Sequence, residues 1–275
     1  MRDESTSGAV PLRPMTTGEI LDAATALLRT RGRTLLGLGF LLALLEQAVL
    51  FPLRQLADVA NAVFPNQHHW DWYWVLLTVG FGTEMCCVAV LAAVSAAAAP
   101  AAMLGPAAPA RPVRPVAVGV LAVVLAVLYG VAAGTVLGWP VAYLLFGLAM
   151  PALVIDRVGP VAALGRSVRL CTRSGLRAGG IRLLGYLAWL FIRLATGIGG
   201  WVALRLLIDT GVAWRDHLVT GLAWLMINAI AYPVLGCLDT VLHLEARMRS
   251  EGLDITLRRA VRHGVSTGPA LAVPR

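Results

Sequence analysis

The sequence has no lysine, and all 23 of its basic side chains are arginine. It is also poor in charge, because Asp, Glu and Arg make up only 14% of its 275 residues while 58% are hydrophobic. Soluble domains carry about 25% charged and about 45–50% apolar residues. The composition therefore argues against a soluble domain and predicts a membrane protein. Arginine-only usage with abundant Ala, Gly, Val and Leu is typical of a GC-rich bacterial genome.

Signatures of enzymes and metal sites are missing as well. The chain contains no H-E-x-x-H zinc helix, no G-x-S-x-G nucleophile elbow and no G-x-x-x-x-G-K-[ST] phosphate loop. No C-x-x-C pair occurs among the four cysteines, which we interpret as small apolar core residues. They are Cys86, Cys87, Cys171 and Cys237. We predict that the protein is not an enzyme and holds no metal and no cofactor.

One small group of side chains could bind a metal. His68 and His69 precede Asp71, but two adjacent histidines point in different directions on a helix or a strand, and no further ligand cluster lies nearby. The same segment carries Trp70 and Trp72, and tryptophan is enriched where a membrane meets water. We therefore favour interfacial anchoring over metal binding for this segment.

Six apolar segments approach the length that crosses the ~30 Å hydrocarbon core of a bilayer. The predicted spans are 34–53, 74–98, 116–137, 141–155, 183–208 and 218–242. They predict an all-α polytopic membrane domain over 34–242, with a cytoplasmic segment at 1–33 and a cytoplasmic tail at 243–275. No signal peptide is visible, so we expect the first span to be retained. The fourth span is short, and spans three and four could instead form a re-entrant hairpin.

Two amphipathic helices are predicted to lie on the membrane surface. The first begins at Thr16, three residues before Glu19, which is the capping-box spacing. The second begins near Gly159–Pro160 and places apolar and basic side chains on different faces. Its candidates for binding lipid head groups are Arg166, Arg169 and Arg173, since a basic side chain near an anionic leaflet gains about 1 kcal/mol. The alternative is that these arginines only anchor and orient the chain.

The arginines are distributed unevenly between the two sides of the predicted domain. The arginine-rich segments are 29–33, 111–114, 157–182 and 247–262. The opposite loops hold essentially Arg54 and Arg215. By the positive-inside rule, both termini are then cytoplasmic, in a bacterial plasma (inner) membrane. This distribution also accounts for the net charge of +8, so we predict membrane lipids as partners, with anionic lipids as one alternative, and no nucleic acid.

Three ionisable residues, Glu46, Glu84 and Arg193, lie in the middle of long apolar stretches, and Asn228 adds an amide inside the sixth predicted span. A charge at the bilayer centre costs roughly 2.5–3.5 kcal/mol on insertion scales, so it usually pairs or lines a cavity. At about 1.5 Å per residue all three charges reach mid-depth, and Arg193 is expected to pair with one or both carboxylates. Such a group is either a structural ion pair or a proton or substrate site.

Three segments of the chain resemble a group of bacterial, mainly actinobacterial, membrane proteins. They are RPMTTGEILDAATALLRTR, PALVIDRVGPVAALGRSVRLCTRS and LEARMRSEGLDI, and Glu245 stands where the group commonly has Asp. The chain is similar to the membrane domain attached to some glycerophosphodiester phosphodiesterases. The resemblance implies a six-span helical fold. It does not imply the phosphodiesterase reaction, which belongs to a separate catalytic domain in those proteins.

Two functions remain open from the sequence. The favoured hypothesis is a non-enzymatic lipid-associated or scaffolding component that works with a separately encoded protein. The alternative is a small transporter or permease, with the four polar residues of the spans around a cavity and helix breaks at 197–200 and Pro233. A cavity lined by those charges favours transport, whereas a dry packed ion pair favours a scaffold.

Overall fold

The computed structural model describes residues 10–59, 70–105, 108, 110–135, 137–207, 213–263 and 271–272, without the side chains at 204, 205, 207 and 213. His68 and His69, the possible metal ligands, lie outside the described residues. All regular secondary structure in these ranges is helical. The helices are α1 Thr17–Thr30, α2 Gly32–Leu56, α3 Trp70–Leu104, α4 Pro115–Gly134, α5 Gly138–Phe146, α6 Ala149–Ile155, α7 Pro160–Arg173, α8 Arg177–Leu207, α9 Ala213–Glu251 and α10 Leu253–Arg262.

Six helical segments are long and apolar enough to cross a membrane. They are Gly32–Leu56, Trp70–Leu104, Pro115–Gly134, Gly138–Ile155, Arg177–Ala203 and Trp214–Glu251. The fourth segment combines α5 and α6; its 18 residues rise about 27 Å if fully helical, close to the hydrocarbon thickness. The predicted all-α, multi-pass architecture is confirmed.

The helices extend beyond the apolar segments in several places. The α3 helix runs through Pro100 to Leu104, past the predicted boundary at 98, because its alanine-rich end has high helix propensity. The α9 helix continues to Glu251, nine residues past 242, into a polar stretch whose charged side chains pair with neighbouring helices. Neither extension shows in the hydropathy pattern, because hydropathy marks the apolar part of a helix and not its end.

The two ends of the bundle differ in what lies on them. We call them the α1 end, where α1, α7 and α10 lie and where α2 begins, and the Trp70 end, where α2 ends and α3 begins. The buried face of α1 packs on α9, with Ile20 and Leu27 covered. Its capping box is formed, since the Glu19 side chain accepts from the Thr16 N–H at 2.8 Å. The apolar faces of both surface helices are thus covered largely by protein.

Glycines allow three helices to join tightly toward the α1 end. A Cβ on Gly236 of α9 would lie 2.8 Å from the backbone N of Ala92 in α3. A Cβ on Gly39 of α2 would lie 2.6 Å from Cγ of Pro233 in α9. The hydroxyls of Ser95 and Thr240 are 2.6 Å apart across α3 and α9. Backbones that approach this closely fix α2, α3 and α9 together in this half of the bundle.

The short fourth span is broken between α5 and α6. The Ser167 hydroxyl of α7 donates to the Leu145 carbonyl at 2.6 Å and accepts from the Leu148 N–H at 3.1 Å. A side-chain hydroxyl commonly satisfies backbone groups freed at such a break. A Cβ on Gly147 would lie 1.9 Å from Nε of Arg182, so glycine is needed at the break to admit this arginine.

Candidate functional site

Four helices, α2, α3, α8 and α9, surround a cavity of about 220 Å³. Glu46, Glu84, Arg193 and Asn228, the candidate site residues from the sequence, all line it. The fold therefore brings these four residues together. The lining residues are Glu46, Gln47, Leu50, Arg54, Tyr73, Leu76, Leu77, Gly80, Phe81, Glu84, Tyr186, Leu190, Arg193, Leu194, Trp224, Asn228 and Tyr232. The wall is therefore largely apolar, with charged and amide groups set into it.

Arg193 pairs with one of the two carboxylates. Its Nη1 lies 2.9 Å from Oε1 of Glu84, and its guanidinium carbon lies 5.2 Å from the centre of the Tyr186 ring. The side chain is 1% exposed. Only one end of the guanidinium is used, because Nε and Nη2 are buried without a hydrogen-bond partner among the described residues.

Glu46 is held by neutral donors. The Tyr232 hydroxyl donates to it at 2.7 Å, the Asn228 amide at 3.0 Å and the Gln47 amide at 3.2 Å. The charge group predicted from the sequence is thus divided into an ion pair, Glu84 with Arg193, and a carboxyl in a neutral hydrogen-bond network. Buried polar groups satisfied in this way fix the relative positions of their helices.

Arg54 also belongs to the cavity, although the sequence analysis placed it in a loop. It lies in the last turn of α2 and is 5% exposed. Its Nη1 would be 3.4 Å from a Cβ on Gly221 of α9 and has no hydrogen-bond partner among the described residues. Helical side chains lean toward the helix N-terminus, so a long side chain in the last turn of a span reaches back into the bundle.

One face of α9 carries the polar wall of the cavity. Trp224, Asn228 and Tyr232 recur at a four-residue spacing, which places them on one side of a helix. The Trp224 ring centre lies 5.8 Å from the guanidinium carbon of Arg193, and its buried Nε1 has no hydrogen-bond partner among the described residues. Sequence reasoning missed the two aromatic residues because inside a span they resemble apolar ones.

The cavity lies beside two helices, α3 and α8, that make little direct contact with each other among the described residues. The α8 helix packs on α9 and α5, and α3 packs on α2, α4 and α9, while the Glu84–Arg193 pair bridges α3 and α8. Trp139 of α5 also lies between them, since its ring centre is 5.8 Å from that of Phe81 and 5.7 Å from that of Tyr186. Leucines of α3 and α8 line the cavity on the Trp70 side of this contact.

The expected helix breaks are wrong. The α8 helix runs without interruption through 197–200, and α9 runs through Pro233. Neighbouring helices accommodate proline within a bundle, and here the Pro233 ring fills the space beside Gly39. The cavity is therefore formed by continuous helices, not by broken ones.

The three predicted lipid-contacting arginines have different surroundings. Arg169 and Arg173 are exposed on α7. Arg166 is 8% exposed, and it binds Asp156 at 2.8 Å and Glu251 at 2.5 Å. Arg166 therefore ties α7 to α9 and is not a surface group, because the face of α7 that carries it turns toward the bundle.

Asp156 is the centre of this second charged cluster, at the α1 end. Besides Arg166, it contacts His243 at 3.0 Å and Arg247 at 2.8 Å. Burial alone would raise the pKa of the Asp156 carboxyl, but His243, Arg247 and Arg166 together lower it to about 2. Arg247 also donates to the Leu271 carbonyl at 2.6 Å, so the cluster holds part of the C-terminal segment.

Two further ion pairs complete the inner polar framework. Arg182 binds Asp239 through Nε at 2.6 Å and Nη2 at 3.2 Å, and its Nη1 reaches the Tyr143 carbonyl at 3.0 Å. Glu245 pairs with Arg177 at 2.6 Å and also with Arg249. These contacts hold α8 and α9 together, although Oε2 of Glu245 is buried without a hydrogen-bond partner among the described residues.

Within the described residues no three His, Cys, Asp or Glu side chains are grouped so that they could hold a metal ion. The cavity between α2, α3, α8 and α9 is thus the best-developed candidate site in that part of the chain. No protein-family model, no curated protein and no solved structure matches the chain.

Proposed function

We propose that this protein is a non-enzymatic, lipid-associated membrane protein that holds a lipid or a lipid-like amphiphile in the cavity. The observation that carries the proposal is a cavity with a largely apolar wall and charged groups set into it, beside two helices, α3 and α8, that make little direct contact. An amphiphile needs both kinds of surface, and pockets of this type usually combine an apolar wall with a few placed polar groups.

The route into the cavity favours a ligand that is already in the membrane. Leu77 of α3 and Leu190 and Leu194 of α8 line the cavity, and all three are half-buried. A ligand that enters between α3 and α8 would pass these apolar side chains before it meets Arg193. A lipid chain can follow that path without leaving hydrocarbon, whereas a strongly hydrated solute would lose its water there.

The proposed setting is a bacterial inner membrane with both termini in the cytoplasm. The uneven arginine distribution supports this orientation, and Arg169 and Arg173 on α7 would then face anionic head groups. The segments that resemble the membrane domain of glycerophosphodiester phosphodiesterases meet at the α1 end around Asp156 and Glu245. That end is where we place a separately encoded protein partner.

Native mass spectrometry of the detergent-purified protein tests the proposal through the lipids that copurify. Gly80 faces the cavity, and a Cβ on it would be 3.9 Å from Leu50, so Gly80→Leu fills the cavity with side chain. Gly119→Leu is the matched control, because a Cβ there has no neighbour within 4 Å. We expect a bound amphiphile in the wild type and in Gly119→Leu and its loss in Gly80→Leu. Equal retention in all three would overturn the proposal.

A permease is the second candidate, favoured by the position of Glu46, Glu84, Arg193 and Asn228 around one cavity. Transport requires that the captured ligand cross from one face of the membrane to the other. In proteoliposomes a permease would move the ligand identified above between the faces in a Glu84-dependent way. A lipid-holding protein would leave its distribution unchanged.

A further inference from the structure

The cavity holds an unusual surplus of buried hydrogen-bond donors. Arg193 Nε and Nη2, Arg54 Nη1 and Trp224 Nε1 are all buried without a partner among the described residues. An unpaired buried donor costs roughly 1–3 kcal/mol, and more when it is charged. Four such atoms in the wall of one cavity indicate a ligand that accepts hydrogen bonds.

The free edge of Arg193 has the geometry of an oxyanion receptor. Nη1 is occupied by Glu84, which leaves Nε and Nη2, the two groups that form one side of the planar guanidinium. Two parallel N–H groups on such an edge match the two oxygens of a carboxylate or a phosphate. A neutral hydroxyl or ether would satisfy only one of them.

Arg54 converges on the same place from α2. Its Nη1 lies beside Gly221, and Trp224, which stacks near Arg193, is one turn further along α9. Three residues of an α-helix rise about 4.5 Å, so the two guanidinium groups contact the α9 face within about one helical turn of each other. Glu84 and Glu46 line the same cavity, so the arginines select an anion through their unpaired N–H groups, which bond more strongly to an oxyanion than to a neutral acceptor.

Acceptors are also present beside the donors. The amide oxygens of Gln47 and Asn228 are buried and lack hydrogen-bond partners among the described residues. They can accept from a protonated phosphate oxygen or from a hydroxyl next to the anionic group. The surface for an apolar chain is supplied by leucines of three helices, Leu50, Leu77, Leu190 and Leu194.

We infer that the cavity binds the oxyanion of an anionic amphiphile, with a phosphate or carboxylate seated between Arg54, Arg193 and Trp224 and its chain along the apolar wall. This assignment rests on the proposed function and adds the chemistry of the ligand's polar end. On this assignment the cavity selects its ligand by the negative charge of the polar end as well as by the apolar chain.

The test uses the full-length protein in a neutral maltoside detergent, titrated with dodecyl phosphate and followed by native mass spectrometry. Dodecyltrimethylammonium carries the same chain with a positive charge, and ethyl phosphate carries the same anion without the chain. We expect dodecyl phosphate to bind at least tenfold more tightly than either. If ethyl phosphate binds as tightly as dodecyl phosphate, the ligand does not need an apolar chain and is not an amphiphile. If dodecyltrimethylammonium binds as tightly as dodecyl phosphate, the site does not select an oxyanion.

Substitutions in the cavity wall test whether dodecyl phosphate binds in the cavity. Arg54→Gln should weaken dodecyl phosphate at least about tenfold, the range for loss of a charge-assisted hydrogen bond. Glu84→Gln with Arg193→Gln removes both partners of the ion pair, so no lone buried charge is created, and it should weaken binding similarly. Trp224→Phe keeps an aromatic ring but loses the indole N–H, and it should weaken the binding of dodecyl phosphate by a smaller factor. Arg215→Gln, an exposed arginine at the same end of the bundle, should bind as the wild type does.

These outcomes separate the two proposals. If Arg54→Gln and the double variant bind dodecyl phosphate as the wild type does, the oxyanion assignment is wrong. If Gly80→Leu still abolishes the binding of a neutral or cationic amphiphile, the lipid-holding function stands without the oxyanion assignment. If Gly80→Leu changes nothing that binds, both proposals fail.

Discussion

At the scale of single residues, Glu84 and Arg193 depend on each other. Both are buried, at 8% and 1% exposure, and their contact of 2.9 Å compensates part of the cost of removing two charges from water. Removing one partner of a buried pair typically costs about 3–5 kcal/mol, because the other charge is left unpaired. We predict that Glu84→Gln and Arg193→Gln each destabilise the protein by about this amount.

The double variant is the control for that prediction. Without either charge no lone ion remains, so the loss in free energy of unfolding should be clearly smaller than the sum of the single losses. Unfolding by SDS in mixed micelles measures all three variants and the wild type. Strictly additive losses would show that the two side chains are not coupled.

Asp156 predicts a specific response to acid. Its pKa in the folded protein, about 2, lies below the ordinary Asp value of about 3.9. Stability from the ionised form is therefore present above pH 4 and is lost as the pH falls through 4 toward 2. Asp156→Asn should be less stable than wild type at pH 7, and the difference should shrink by about 2 kcal/mol between pH 5 and pH 2. A difference that stays constant over this range would contradict the prediction.

The sequence identifies polar site residues only where they interrupt an apolar segment. Glu46, Glu84, Arg193 and Asn228 all do so, and all four line the cavity. Arg54 stands next to polar residues in the sequence and enters the cavity only because its side chain turns back along α2. Which carboxylate pairs with Arg193 could not be predicted either, since depth alone does not give the rotation of each helix.

At the scale of helices, the α3–α4 contact depends on glycine. Cβ atoms on Gly130 and Gly82 would lie 2.9 Å and 2.8 Å from the carbonyl oxygens of Thr78 and Ala126, and a backbone oxygen cannot move aside as a side chain can. We predict that Gly130→Val separates the helices and costs about 1–3 kcal/mol or more. Gly119→Val on the open face of the same helix is the control, and SDS unfolding should show little change for it.

Helix boundaries were the least predictable feature at this scale. The polar end of α9 remains helical because its charged side chains find partners on α7 and α8, as Glu251 does with Arg166 and Glu245 with Arg177. The break between α5 and α6 depends on Ser167, which is close in space and about twenty residues away in sequence. Both features arise from contacts between helices that are distant in sequence, so the local sequence pattern does not predict them.

At the scale of the whole molecule, the proposed orientation can be tested by labelling. Trp72→Cys and Arg173→Cys place thiols at exposed positions on opposite ends of the bundle. The background is the chain with its native cysteines replaced by alanine. These are Cys86, Cys87, Cys171 and Cys237.

A membrane-impermeant maleimide should label Cys at 72 in intact spheroplasts. It should label Arg173→Cys only after lysis, because the arginine distribution predicts that α7 lies on the cytoplasmic side. The reverse pattern would mean that the positive-inside rule does not set the orientation of this chain.

The fold was largely predictable, since six apolar lengths and the bilayer thickness leave few alternatives to six spanning helices. The cavity was not. It depends on where small residues permit close contact between helices and where larger side chains line a space instead. Gly39 and Gly236 make close contacts, whereas leucines and aromatic residues line the cavity. Which residues meet across two helices cannot be predicted from either segment alone.

The close contacts of Gly236 with Leu91 and of Gly39 with Pro233 lie on the α1 side of the cavity, and none of these four residues lines it. The contacts that hold α2, α3 and α9 together are thus separate from the side chains that face the cavity. A substitution in the cavity wall can therefore change the shape and charge of the cavity while these contacts stay in place. The two sets of residues can vary independently, so the same bundle can enclose cavities of different chemistry.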